Sequence, residues 1–207
     1  MTKIRIRTDV EKSFFKSIVF DTFIKLLTCM KIVKLHDNNF DVYINEQQIK
    51  LRVEQMATEI FQSLNGKVPH FIAVLNGSFI FASDLLRAYP GDCKISFVKL
   101  SSYSGMESTG KVMELIGLKE VVDDEVLVVL EDIVDTGTTL LKIDEILKAK
   151  GKSWQISSLF LKPDAYKGDR KIDFVGFEIP NRFIVGYGLD YDGLGRNLKN
   201  VYQLAKA

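Results

Sequence analysis

Residues 126–130, V-L-V-V-L, form an uninterrupted apolar and mostly β-branched run, and no other stretch limits the fold as tightly. A strand with one wet face alternates apolar and polar residues. A run without alternation belongs in a parallel strand covered by helices on both faces. The run predicts a central strand that ends at Leu130, because Glu131, Asp132 and Asp135 follow at once. Thr136, Gly137, Thr138 and Thr139 come next, before a helical pattern over residues 140–150 that Gly151 ends. Ligands of open α/β sheets bind beyond the carboxyl ends of the strands, so this junction is the candidate site.

The residue types at the junction divide the work. Gly137 lets backbone pass close to a ligand, threonine hydroxyls donate hydrogen bonds, and the free N–H groups of the next helix favour a phosphate. Carboxylates beside a phosphate nest must address something else: sugar hydroxyls, a hard divalent cation carried with the substrate, or a proton to be removed. An ordinary acidic strand-to-helix loop with threonine caps has the same composition.

The flanking chain repeats the pattern. Ile49, Val53, Met56, Ala57, Ile60 and Leu64 fall at helical spacing, with Asn65-Gly66 as a stop. Residues 71–75 predict a buried strand, closed by Asn76-Gly77-Ser78 and followed by an apolar helix through Tyr89. A strand over 93–100 leads into residues 101–111, S-S-Y-S-G-M-E-S-T-G-K, a surface loop by composition or a lid that closes with Tyr103. Residues 112–116 predict a returning strand, and 154–161 a further strand ending at Lys162. Two short apolar segments, 174–177 and 183–187, are expected in a smaller lobe. Strand-then-helix units in series imply an α/β fold with a mostly parallel, twisted sheet flanked by helices.

A chain of 207 residues is long enough for one well-buried α/β domain with a small lobe. Its net charge of +1 asks for neither nucleic acid nor a membrane surface. Cys29 and Cys93 stand apart, which suits free thiols in a reducing, cytoplasmic compartment. His36 and His70 lack metal-ligand spacing and read as structural or surface residues. Residues 14–30 are apolar-rich, but Lys16, Asp21 and Lys25 interrupt them, so no membrane span is expected. Residues 1–30 are taken as a dispensable extension, with Met30 an alternative start, and residues 31–207 as a single domain.

E-D-I-V-D-T-G-T-T resembles the phosphoribosyl diphosphate signature of the type I phosphoribosyltransferases, and most closely their hypoxanthine-guanine branch. Three further motifs follow the family's order. V-L-N-G-S-F-I-F-A-S-D-L from Val74 is similar to its pyrophosphate loop and following helix. S-S-Y-S-G-M-E-S-T-G from Ser101 is similar to its flexible catalytic loop, and residues 173–191 to its purine-binding hood.

The resemblance implies a sheet capped by a small hood from the C-terminal and N-terminal segments, mainly residues 162–207. It also implies magnesium and transfer of phosphoribosyl to hypoxanthine or guanine, in a homodimer or homotetramer. Glu131 and Asp132 would meet the ribose hydroxyls, directly or through magnesium, and Asp135, Thr136, Gly137, Thr138 and Thr139 would hold the 5′-phosphate. Asp135 would also act as base at N7 of the purine. Lys162 would donate to the 6-oxo group, Phe183 would stack on the ring, and the Ile184 backbone would read its Watson–Crick edge. Asn76, Gly77, Ser102, Tyr103 and Arg196 would hold the diphosphate, and Asp190 the magnesium–pyrophosphate unit beside the purine.

Without the resemblance, Lys162 is a solvated strand-end lysine and Phe183 a core residue. Many family members carry lysine where this chain has Asn76, so one cationic contact to pyrophosphate is missing. Two rival readings are a non-catalytic sensor of phosphoribosyl diphosphate and an enzyme preferring xanthine. A sensor of that kind would need a nucleic-acid surface, against which the near-zero net charge speaks.

Overall fold

The computed structural model describes residues 32–100, 113–116, 126–149 and 151–205. The expectations for residues 1–30, for Cys29 and for the loop carrying Ser102 and Tyr103 lie outside them. In chain order the elements are β1 (Val33–Leu35), β2 (Asn38–Ile44), α1 (Glu46–Ser63), β3 (Pro69–Leu75), α2 (Phe79–Ala88), β4 (Lys94–Leu100) and β5 (Met113–Ile116). They continue with β6 (Val126–Val134), α3 (Thr138–Ala149), β7 (Trp154–Leu161), β8 (Phe174–Glu178), β9 (Ile184–Val185) and β10 (Val201–Leu204). The main sheet has the order β5-β4-β3-β6-β7-β8, parallel except for β5, which pairs antiparallel with β4.

The apolar run of residues 126–130 lies at the centre of this sheet. Val128 and Leu130 point into one core with Ile49, Met56, Phe71 and Phe81, on the face covered by α1 and α2. Leu127 and Val129 point into another with Ile72, Leu140, Ile143 and Leu147, under α3. Over residues 126–130 both faces of the strand are covered, which is why no polar residue interrupts the run there. In α1, the residues at helical spacing are the buried ones, and Asn45 and Gln48 close its first turn as a reciprocal capping box.

Two expectations need correction. The central strand does not stop at Leu130: β6 runs on to Val134, because its pairing with β7 continues through Glu131↔Ser158, Ile133↔Phe160 and Val134↔Leu161. Residues 174–177 are not part of the smaller lobe. They lie in β8, the edge strand of the main sheet, held by parallel pairing to β7, by stacking of Phe177 on Phe160, and by Arg52 donating to the Val175 and Gly176 carbonyls.

The hood is a second, antiparallel sheet in the order β1-β2-β10-β9. Leu35, Phe40, Val185 and Tyr202 form its own small core. Strands from both ends of the described chain therefore build it, as the resemblance implied.

Candidate active site

The carboxyl ends of β3, β6 and β7 lie side by side, and the loops leaving them carry the residues of interest. After β3, the Leu75–Asn76 peptide is cis, and Ser78 donates through Oγ to the Val74 carbonyl at 2.6 Å as α2 begins. Gly77 has to be glycine. A Cβ at this position would fall 1.6 Å from Asp132 Oδ2, so the carboxylate rests directly on the Gly77 backbone.

Continuation of β6 past Leu130 places the acidic pair inside the sheet. Glu131 is 5% exposed, and its Oε2 finds no hydrogen-bond partner among the described residues. Burial, and then the charge of Asp132, pushes its carboxyl well above the usual range. Asp132 accepts from the Ile133 N–H at 2.9 Å. Burial outweighs that bond and raises its pKa to about 6, with Asp190 adding to the shift and Arg196 opposing it.

Past β6 the loop turns outward. Thr136 and Thr138 share a hydroxyl–hydroxyl bond of 3.0 Å, Gly137 has φ +86°, and α3 starts at Thr138. The first N–H groups of the helix have no partner within it and follow these hydroxyls directly in the chain, a combination suited to a phosphate. Lys162 follows β7. Its N–H donates to the Val134 carbonyl at 2.9 Å, and its Nζ donates to Asp135 Oδ2 at 2.6 Å. The lysine is 7% exposed, so it is not a solvated strand-end residue.

The hood meets the core above Gly77. Gly188, at φ +99°, abuts the Gly77 carbonyl so closely that a Cβ would lie 2.1 Å from its oxygen. Arg196 donates to the Gly188 carbonyl and pairs with Asp190, both at 2.7 Å, and Asp190 also accepts from the Gly193 N–H. Phe183 is 47% exposed, with its ring T-shaped to Tyr191 and tilted against Phe40. It is thus a presented aromatic face rather than a core residue. Ile184, buried in β9, pairs with Gln203.

The structure thus brings together Gly77, Asp132, Asp190 and Arg196 on one side, and Asp135 with Lys162 beside the threonine loop on the other. Sequence reading passed over Gly188 and the bond from Tyr187 Oη to Asp84, 2.7 Å, which ties the same hood turn to α2. The G-Y-G spacing at 186–188 was the available signal, since two glycines around one residue suit a turn with positive φ. A cleft of about 480 Å³ lies behind that bond, lined by Lys50, Asp84, Arg87 and Lys199 among others, and it contains none of the predicted site residues.

Among the described residues no three carboxylate, histidine or cysteine side chains are gathered as a ready metal cage. Glu131, Asp132 and Asp190 nevertheless supply hard oxygens, one of them buried without a partner. That donor set fits magnesium, which dehydrates reluctantly and commonly binds through one or two carboxylates plus substrate phosphates.

Known proteins resemble the chain in sequence and in fold. Residues 41–192 match the family described as the phosphoribosyl transferase domain. Over 174 residues the chain is 36% identical to a hypoxanthine-guanine phosphoribosyltransferase of Aquifex aeolicus, covering 83% of this chain and 98% of that protein. It is 41% identical over 155 residues to a hypoxanthine phosphoribosyltransferase of Buchnera aphidicola, covering 72% and 87% respectively. A crystal structure of a hypoxanthine phosphoribosyltransferase from Staphylococcus aureus is similar with a TM-score of 0.71 and 33% identity, covering 87% of this chain and 94% of that one.

Proposed function

Since the chain belongs to the phosphoribosyltransferase family, in its hypoxanthine-guanine branch, we propose that it transfers the 5-phosphoribosyl group of phosphoribosyl diphosphate to N9 of hypoxanthine or guanine. The products are IMP or GMP and pyrophosphate, as in purine salvage. The observation that carries this reading is the 2.6 Å contact between Lys162 and Asp135, beside the threonine loop. N7 and O6 are neighbours on one edge of a 6-oxopurine. A donor and an acceptor held this close together suit those two atoms.

In the reaction, the bond from C1′ to pyrophosphate breaks as N9 bonds to C1′, and the leaving group keeps the electron pair. Asp135 takes the N7 proton, and Lys162 donates to the 6-oxo group as charge shifts toward it. Thr136 to Thr139 and the start of α3 hold the 5′-phosphate, which fixes C1′ relative to the base. Phe183 supplies a face for the purine, with the Ile184 backbone at its Watson–Crick edge. Asn76, Gly77 and Arg196 hold pyrophosphate, Ser102 and Tyr103 close over it, and Glu131 and Asp132 face the ribose hydroxyls. Magnesium, held by Asp132, Asp190 and Glu131, would neutralise pyrophosphate as it leaves.

We take residues 31–207 as one catalytic unit that works as a homodimer or homotetramer in the cytoplasm. The deciding experiment incubates purified protein with magnesium, phosphoribosyl diphosphate and a mixture of hypoxanthine, guanine, xanthine and adenine, and separates the nucleotides formed. IMP and GMP are expected. Binding of the diphosphate without any nucleotide would favour the sensor reading, and dominant XMP the xanthine-preferring one.

A further inference from the structure

The connection between β7 and β8 holds the threonine loop along its length. The Lys162 N–H donates to the Val134 carbonyl, the Lys162 ammonium reaches Asp135, and the Lys167 N–H donates to the Thr136 carbonyl at 3.4 Å. Residue 137 receives no hydrogen bond from this segment. It receives a ring instead. A Cβ on Gly137 would lie 2.6 Å from Tyr166 Cε2, and a Cβ on Gly168 would lie 2.6 Å from Tyr166 Oη, so two glycines flank the tyrosine. Tyr166 Oη donates to the Arg170 carbonyl at 2.8 Å, and the Tyr166 N–H donates to the Lys162 carbonyl at 3.0 Å. The ring also packs against the core under α3.

From this arrangement we infer that Tyr166 is a positioning residue for the phosphoribosyl group: its ring holds Gly137 in the conformation that aims the threonine loop at the 5′-phosphate. This rests on the proposed reading of residues 135–139 as the phosphate loop. The physical need is specific. Gly137, with φ +86°, has more conformational freedom than any other residue of the loop. A loop that binds through backbone N–H groups loses affinity for every alternative conformation it samples first. A flat aromatic face restrains the glycine without occupying the space a phosphate needs. Burial raises the phenol above its ordinary value, which keeps it protonated as a donor to Arg170.

The ring carries the role and the hydroxyl anchors it, so two variants separate them. In Tyr166→Leu, which keeps apolar volume but removes the plane, KM and calorimetric Kd for phosphoribosyl diphosphate should rise about tenfold, equivalent to about 1.4 kcal/mol. KM for hypoxanthine should stay within about twofold, since Lys162 and Phe183 are untouched. Tyr166→Phe should restore both diphosphate constants to within about threefold of wild type. Unchanged diphosphate constants in the leucine variant would overturn the inference. So would an equal rise in both KM values, the sign of general loosening. A wild-type protein that binds the diphosphate but makes no nucleotide would defeat the transfer reaction alone, and loss of diphosphate affinity in the leucine variant would then still support Tyr166. If the wild type does not bind the diphosphate, both fall.

Discussion

Asp135 and Asp132 are three residues apart and have different environments. Asp135 is half open to solvent and has its own lysine. As the proposed base, it should lower turnover by about 10²–10⁴-fold when changed to Asn, with little change in melting temperature. Turnover unchanged in Asp135→Asn would remove it from that role. Asp132 binds its proton more tightly in the folded protein, at about 6, than at its ordinary value of 3.8. Its protonation therefore favours folding below the ordinary value, and the benefit is lost as pH rises through about 6. The gap corresponds to about 3 kcal/mol at pH 8. Asn keeps the acceptor for the Ile133 N–H, so in chelator-treated buffer Asp132→Asn should be more stable than wild type at pH 8 and converge with it near pH 4. Urea unfolding at both pH values measures this. An equal difference at the two would show that burial of the charge is not the cause.

Among the elements, the buried strands were the most legible. Residues 71–75 read as a strand from their apolar run, and they lie in β3, because burial on both faces leaves its mark on every side chain there. The end of β6 was not legible. Glu131 and Asp132 have loop-like side chains, yet pairing with β7 keeps them extended. β8 was misplaced for a related reason: a short apolar segment looks the same at a sheet edge as in a hood. β1, β2 and β10 went unmarked: β1 is a three-residue strand turned back on β2, and β2 and β10 pair with each other from opposite ends of the described chain. Side-chain contacts such as Gly188 on Gly77 depend on two loops meeting, which no local pattern reports. That contact is testable. Gly188→Ala adds a Cβ 2.1 Å from the Gly77 oxygen at a φ of +99°, where backbone strain alone costs about 1–3 kcal/mol. Its melting temperature should fall, and its KM for phosphoribosyl diphosphate should rise. Neither would change if the turn bore no load.

For the molecule as a whole, the family motifs made the α/β core and the hood foreseeable before any coordinates, whereas the division of strands between them was not. The two parts are joined by Gly188 on Gly77 and by Tyr187 on Asp84. Within the hood, β10 lies between β2 and β9, the link between strands from opposite ends of the described chain. Deleting residues 200–207 should therefore leave a protein with helical and strand circular dichroism and a cooperative, lowered melting transition. Its nucleotide formation should fall below detection. Retained turnover in the shortened chain would show that the purine subsite does not need β10.

That position of β10 also bears on synthesis. β10 is made after every other described element, so a ribosome-bound chain carries its threonine loop long before it can finish the cap over it. Until those four residues emerge and slot between β2 and β9, the nascent protein has its main sheet but an unfinished hood, and any step that needs the hood must wait for them.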